Sequence, residues 1–217
     1  MKNKPEYTRF LPHYHPVGAA FFVTYRLNGS LPQVFLDNLV EWYATEKTRV
    51  VHEVPTREQD KALYMLQREY FIKFDDALDK CLFGPSFLKN PRLANMAIKE
   101  LTRFDGQWYH LLAYTVMPNH VHVLLDFSIQ HEYAGTPAYK NLDYVIGRVK
   151  GASSRFINLA LGKTGESCWQ AEYHDRYIRN QRHRLAAVDY IKQNVVSAGI
   201  VQHWQEHPFT WVREDIW

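Results

Sequence analysis

The chain has 217 residues, 46% hydrophobic and 15% aromatic, and carries a net charge of +3 at neutral pH. That is enough apolar material to bury a core, which excludes an intrinsically disordered chain, while so small a net charge does not by itself identify a polyanion partner. Cys81 and Cys168 stand far apart without Cys-x-x-Cys spacing, against a zinc finger or disulfide framework and in line with reduced thiols in a cytoplasmic protein. No apolar run at the N-terminus reads as a signal peptide, and no stretch approaches the ~18 apolar residues of a membrane span.

Residues 1–16 read as irregular, with Pro5, Pro12 and Pro16 and a histidine pair, His13 and His15, around Tyr14. Ala19 to Leu27 alternates as a strand, with Phe21, Val23, Tyr25 and Leu27 on one face and Phe22, Thr24 and Arg26 on the other. After the Asn28-Gly29-Ser30 turn, Pro32 opens a helix spaced by Leu36, Leu39, Val40 and Tyr43. Val54-Pro55 breaks it, and a second helix carries Leu63, Leu66, Tyr70, Phe71, Phe74 and Leu78 to about residue 80. A third is expected from about Pro91 to Phe104, closed by Asp105-Gly106.

Strands follow at Gln107 to Met117 and His120 to Phe127, parted by Pro118-Asn119, since proline cannot donate to a sheet ladder. Residues 128–140 read as a loop. An amphipathic helix is expected from Asn141 to Leu161 through Leu142, Val145, Ile146, Val149, Phe156 and Ile157. Trp169 to Arg179 holds a fourth strand, and a last helix spans about His183 to Ala198, stopped by Gly199. The tail, residues 200–217, carries Trp204, Trp211 and Trp217. Antiparallel strands with helices on one face predict an α+β sandwich of ferredoxin-like topology. The whole chain, 1–217, is expected to form one domain, with residues 31–106 as an enlarged helical insertion.

Charge is unevenly spread. Residues 148–192 hold nine Lys/Arg and four acids, a net +5, against −2 for the rest. Such a concentration is the footprint of phosphate contact, or else a solvated helix face. The stretch Met117-Pro118-Asn119-His120-Val121-His122-Val123-Leu124-Leu125 carries the strongest chemical signal. Alternation puts His120, His122 and Leu124 on one face and Val121, Val123 and Leu125 on the other. Two imidazoles so placed can grip one metal ion, or can be surface histidines on a half-exposed strand. On the last helix Tyr190 and Asn194 stand at i and i+4 and share a face, flanking the stripe of Leu185, Val188, Ile191 and Val195. Asn194 can offer an oxygen to a metal and Tyr190 a hydroxyl to a phosphate, or both can be polar residues at the core edge.

Together RFLPHYHPVGAAFFVTYRL, AYTVMPNHVHVLL, RVKGASSRFIN, WQAEYHDRYIRN and VDYIKQNVVSAGIV resemble the single-tyrosine HUH transposases, in particular the REP-associated tyrosine transposases of bacteria. The resemblance covers about residues 8–201. It implies a ferredoxin-like domain with the histidine strand at the centre of the sheet and the catalytic tyrosine on a C-terminal helix. It implies an enzyme that nicks and rejoins single-stranded DNA beside palindromic hairpins through a 5′-phosphotyrosine. Tyr190 would be the nucleophile, and His120, His122 and Asn194 would bind Mg²⁺ or Mn²⁺. Arg148, Lys150, Arg155, Arg176, Arg179, Arg182 and Arg184 would contact phosphates. His13, Tyr14 and His15 would meet DNA in the N-terminal segment, and Tyr14, Trp169 and Tyr173 could stack on bases. The protein would be cytoplasmic and nucleoid-associated, a monomer or homodimer. One departure is Val195-Val196 after Asn194, where many relatives read Asn-Pro-Val. Two other classes stay open: a catalytically silent binder of single-stranded or hairpin nucleic acid, and an unrelated metallohydrolase that adds Asp126 to the histidines.

Overall fold

Runs of apolar residues alternating with period two form the three central strands, β3 (Ala20–Arg26), β4 (His110–Val116) and β5 (His120–Asp126). The computed structural model describes residues 6–8 and 12–214, with side chains from residue 14 onward. The chain divides into two compact units, Met1–Asn28 with Phe87–Trp217, and Gly29–Ser86.

Gly29–Ser86 holds two helices, α1 (Gln33–Glu53) and α2 (Thr56–Asp79), packed on each other. Pro55 separates them, as expected of a residue that cannot continue a helix. Leu39, Tyr43 and Val50 of α1 are buried, as are Leu66, Tyr70, Phe74 and Leu78 of α2. Tyr43 meets Tyr70 edge to face at 5.3 Å. Asp75 is also buried on α2, and burial first, then Asp79 and Asp76, pushes its carboxyl well above the usual carboxylate range. At the end of this unit Gly84 has φ +67°, and a Cβ there would lie 2.0 Å from the Gly29 carbonyl oxygen, so no other residue fits.

In the other unit the five-stranded sheet has the order β6-β3-β5-β4-β7, with β6 at His174–Ile178 and β7 at Thr210–Val212. Every neighbouring pair is antiparallel. Its first four strands give the expected ferredoxin-like order, and β5 lies at the centre. The crossover helices α3 (Pro91–Thr102) and α4 (Leu142–Leu161) cover one face. Leu93, Ala97 and Leu101 of α3 and Val145, Ile146 and Val149 of α4 pack there with Phe21, Val23, Tyr25, Val121, Val123 and Leu125. Burying each of these Val, Leu, Ile and Phe side chains stabilises the fold by about 1.5–3 kcal/mol. Helix α5 (Gln181–Ser197) lies on the opposite face, that of Phe22 and His122. Among the described residues no helix is long and apolar enough to cross a membrane.

Several expectations are corrected. The N-terminal segment is not wholly irregular, because β1 (Glu6–Thr8) pairs with β2 (Pro12–Tyr14). The tail contributes β7, which pairs with β4 and is too short for periodicity to reveal. Trp211 of β7 stacks on Tyr114, and Arg213 then bridges to the Asp105 carboxylate and the Leu111 carbonyl. Phe156 is 43% exposed, and Ser153 takes the inward place on α4, its hydroxyl donating to the Val149 carbonyl. Trp169 is no base-stacking platform. Only 5% exposed, it packs on Tyr25 and donates its indole N–H to Ser153 Oγ at 3.0 Å. Tyr173 is likewise buried, its hydroxyl donating to Asp143 at 2.6 Å. Trp169→Ala is therefore expected to cost about 3–5 kcal/mol of unfolding free energy in a urea titration, as deletions of buried aromatics do.

Candidate active site

The site begins with the strand β5. Val121, Val123 and Leu125 are fully buried in the core, so alternation holds His120, His122 and Leu124 on the other face. That face is closed as well, and both histidines are 0% exposed, which removes the reading of half-exposed surface histidines. The register sets Thr24 and Arg26 of β3 directly beside His122 and His120, and Thr115 of β4 on the far side of His122. The rings stand edge to face with centroids 4.6 Å apart and Nε2 atoms at 2.9 Å. Behind them, Asn119 Oδ1 lies 2.6 Å from His120 Nδ1 and Thr24 Oγ1 lies 2.7 Å from His122 Nδ1. Burial pushes His120 down to about 3 and, with His120 as a second cause, holds His122 well below the usual imidazole range. Both rings are therefore neutral at physiological pH, the form that ligates a metal.

Helix α5 supplies the second half. Asn180 caps it by accepting from the His183 amide, and Val188, Ile191 and Val195 turn inward. Tyr190, on the flank of that stripe, brings its ring to 5.6 Å from His122 and 5.6 Å from Phe22, which itself stacks on His122 at 5.4 Å. Asn194, one turn further, is buried. The donor set fits a divalent ion. Two neutral imidazoles converge through Nε2, each oriented from behind through Nδ1, as metal-ligating histidines commonly are. Thr24 and Asn119 were not singled out from sequence for a role. The Asn beside the first histidine was a visible clue, whereas the place of Thr24 depends on the β3–β5 register.

The basic residues fall into two groups. Arg148 and Arg155 of α4, and Arg176, Arg179 and Arg182 around the start of α5, are exposed. Burial first, then Arg176, Arg179 and Arg182, lowers the pKa of His183, so these three guanidinium groups share one local field. Lys150 and Arg184 are half-buried. Lys150 donates to the Gln170 and Ala171 carbonyls, and Arg184 pairs with Asp126 at 2.9 Å. Arg179 and Arg184 line a pocket of about 250 Å³ with Asp126 and Ser128. Asp126 lies at the opposite end of β5 from His120, so the metallohydrolase reading loses its carboxylate. In the N-terminal segment Tyr14 is 53% exposed, His15 bonds Asp175 at 2.9 Å, and the side chain of His13 lies outside the described residues, as does Trp217.

No family model and no curated protein matches the chain. Among solved structures it is similar to one described as a REP-associated tyrosine transposase bound to a REP hairpin, at 17% identity and a TM-score of 0.49, over 94% of this chain and 81% of that one.

Proposed function

We propose that this protein is a metal-dependent single-stranded DNA endonuclease and strand transferase of the REP-associated tyrosine transposase type, acting beside hairpins. The observation that carries the proposal is the approach of the Tyr190 ring to 5.6 Å from His122, on the face where two histidine Nε2 atoms converge. His120 and His122, with Asn194, would hold Mg²⁺ or Mn²⁺. When bound, the ion supplies Lewis-acid polarisation of a non-bridging phosphate oxygen.

The rest is chemistry of this chain's own side chains. The Tyr190 hydroxyl gives up its proton and Oη attacks the phosphorus. The bond to the 3′ oxygen breaks and that oxygen takes up one proton from solvent, balancing the one Tyr190 releases, which leaves a 5′-phosphotyrosine and a strand ending in a 3′-hydroxyl. Attack by a 3′-hydroxyl on that phosphotyrosine reverses the exchange and releases Tyr190. One phosphoester replaces another at each stage, so rejoining needs no nucleotide cofactor. The packed rings of Phe22 and His122 keep the Tyr190 ring from swinging away from the histidine face.

Arg148, Arg155, Arg176, Arg179 and Arg182 would meet backbone phosphates, and Tyr14 would stack on a base. Lys150 and Arg184 would reach DNA while keeping the internal contacts described above. Arg182→Ala is expected to weaken hairpin binding and to lower the slope of log K against log salt by about one, read by fluorescence polarisation from 50 to 300 mM salt.

The test is covalent capture. Protein is mixed with end-labelled hairpin oligonucleotides drawn from palindromes of its own genome, with Mn²⁺ or EDTA, and run on a denaturing gel. A metal-dependent shifted band supports the proposal. Tight hairpin binding with no adduct would favour the silent binding module.

A further inference from the structure

Arg26 is 6% exposed, whereas Arg148, Arg155, Arg176, Arg179 and Arg182 are exposed. Taking a guanidinium out of water is costly, so a buried arginine is kept where its charge is used. The β3–β5 register pairs Arg26 with His120, as it pairs Thr24 with His122. Residues paired directly across two antiparallel strands share a face, with Cβ atoms about 4.5–5.5 Å apart. The Arg26 side chain therefore starts beside that of His120, on the face where the two Nε2 atoms converge. The backbone is fixed there on both sides. The Gln170 N–H donates to the Arg26 carbonyl at 2.9 Å, and the Leu27 N–H donates to the Asn119 carbonyl at 2.8 Å.

A permanent cation beside a pair of metal ligands has no electrostatic rationale if a metal is the only guest, because a guanidinium stays charged and repels a divalent ion. An anion between the two turns one repulsion into two attractions. Resting on the metal-dependent function proposed above, we propose that Arg26 is a catalytic residue whose guanidinium donates to the non-bridging oxygens of the phosphate that Tyr190 attacks. The planar fork carries five N–H donors, so a phosphate can be bound by some of them while others keep contacts within the protein. A phosphate that reaches His120 reaches Arg26 as well, since the two are neighbours across the strand pair. The charge contributes most as Tyr190 Oη closes on phosphorus and negative charge gathers on the non-bridging oxygens. No bond to Arg26 forms or breaks, and it gives up no proton. Strand alternation puts Arg26 on the face of Phe22 and Thr24, but its place opposite His120 depends on the β3–β5 register.

The test compares Arg26→Ala and Arg26→Lys with the wild type in the full-length protein. Electron paramagnetic resonance reads Mn²⁺ affinity without DNA, fluorescence polarisation reads hairpin affinity in EDTA, and the denaturing gel reads the rate of adduct formation at saturating Mn²⁺ and hairpin. A thermal melt in EDTA reports folding. Arg26→Ala is expected to raise Mn²⁺ affinity about threefold or more at low salt, because a repelling charge is gone. It is expected to weaken metal-free hairpin binding, to lower its salt slope by about one, and to slow adduct formation about 10²–10³-fold. A purely structural arginine would not give these opposite signs, since a disturbed site loses metal and rate together. Arg26→Lys keeps the charge without the fork, so Mn²⁺ affinity stays within about twofold while the adduct forms at least about tenfold more slowly. Adduct formation at the wild-type rate in either variant would overturn the proposal, as would a folded Arg26→Ala protein whose Mn²⁺ affinity is unchanged or lower. If Arg26→Ala does not fold, the rate of Arg26→Lys decides alone. Failure of the wild type to bind Mn²⁺ or to form any adduct would instead overturn the metal-dependent function. The two failures are distinguishable because that function is read in the wild type and the role of Arg26 in the variants.

Discussion

Tyr190→Phe is expected to abolish covalent attachment to DNA while leaving hairpin affinity within about twofold. The substitution keeps the ring that packs on His122 and Phe22 and removes only the hydroxyl of a half-buried residue, so the fold and the site walls persist. What it removes is the only atom proposed to bond the phosphorus, and loss of a nucleophile costs at least about 10³-fold in rate. The measurement is the denaturing gel with Mn²⁺, together with binding by fluorescence polarisation and a thermal melt. No adduct, with binding and melting unchanged, would establish Tyr190 as the nucleophile. An adduct of undiminished yield would transfer that role to another side chain and remove the main support for the proposed mechanism.

His120→Ala is expected to lower Mn²⁺ affinity by at least about 100-fold and to abolish the adduct with it. Alanine deletes one of the two converging Nε2 atoms and leaves Asn119 Oδ1 and His122 Nε2 without their described partner in a buried site. Stability therefore falls too, by about 1–3 kcal/mol for the stranded polar groups. Electron paramagnetic resonance titration of Mn²⁺ reads the first effect, and urea unfolding in EDTA reads the second, which separates a lost ligand from a lost fold. Wild-type Mn²⁺ affinity in a folded His120→Ala protein would mean that the histidine pair is structural, and the neutral hydrogen-bonded chain from Thr24 to Asn119 would then be its whole purpose.

Much of the fold was legible because its strands and helices are strongly patterned. The period-two runs at 20–26 and 120–126 assigned side chains to faces, and the observed register and core packing follow those assignments, although the histidine face is buried too. Helix stops at Pro55 and Gly199 came from residues with one dominant backbone preference. Less legible were elements whose identity depends on a distant partner. The three residues of β7 become a strand through β4, and Trp169 becomes core because Tyr25 and Ser153 receive it. An aromatic and basic stretch has the same local signature whether it stacks on bases or on its own sheet.

The sequence by itself determined that His120 and His122 share a face and that Tyr190 and Asn194 share another, since strand and helix periodicity are local properties of the backbone. It also determined that positive charge gathers between residues 148 and 192. Only the tertiary structure decided that α5 lies over the histidine face, that Arg184 answers Asp126 and Lys150 answers two carbonyls, and that Thr24 stands behind His122. These are relations between residues as many as 98 positions apart. They depend on strand order and register, which arise from the packing of the whole sheet and leave no periodic trace in the chain.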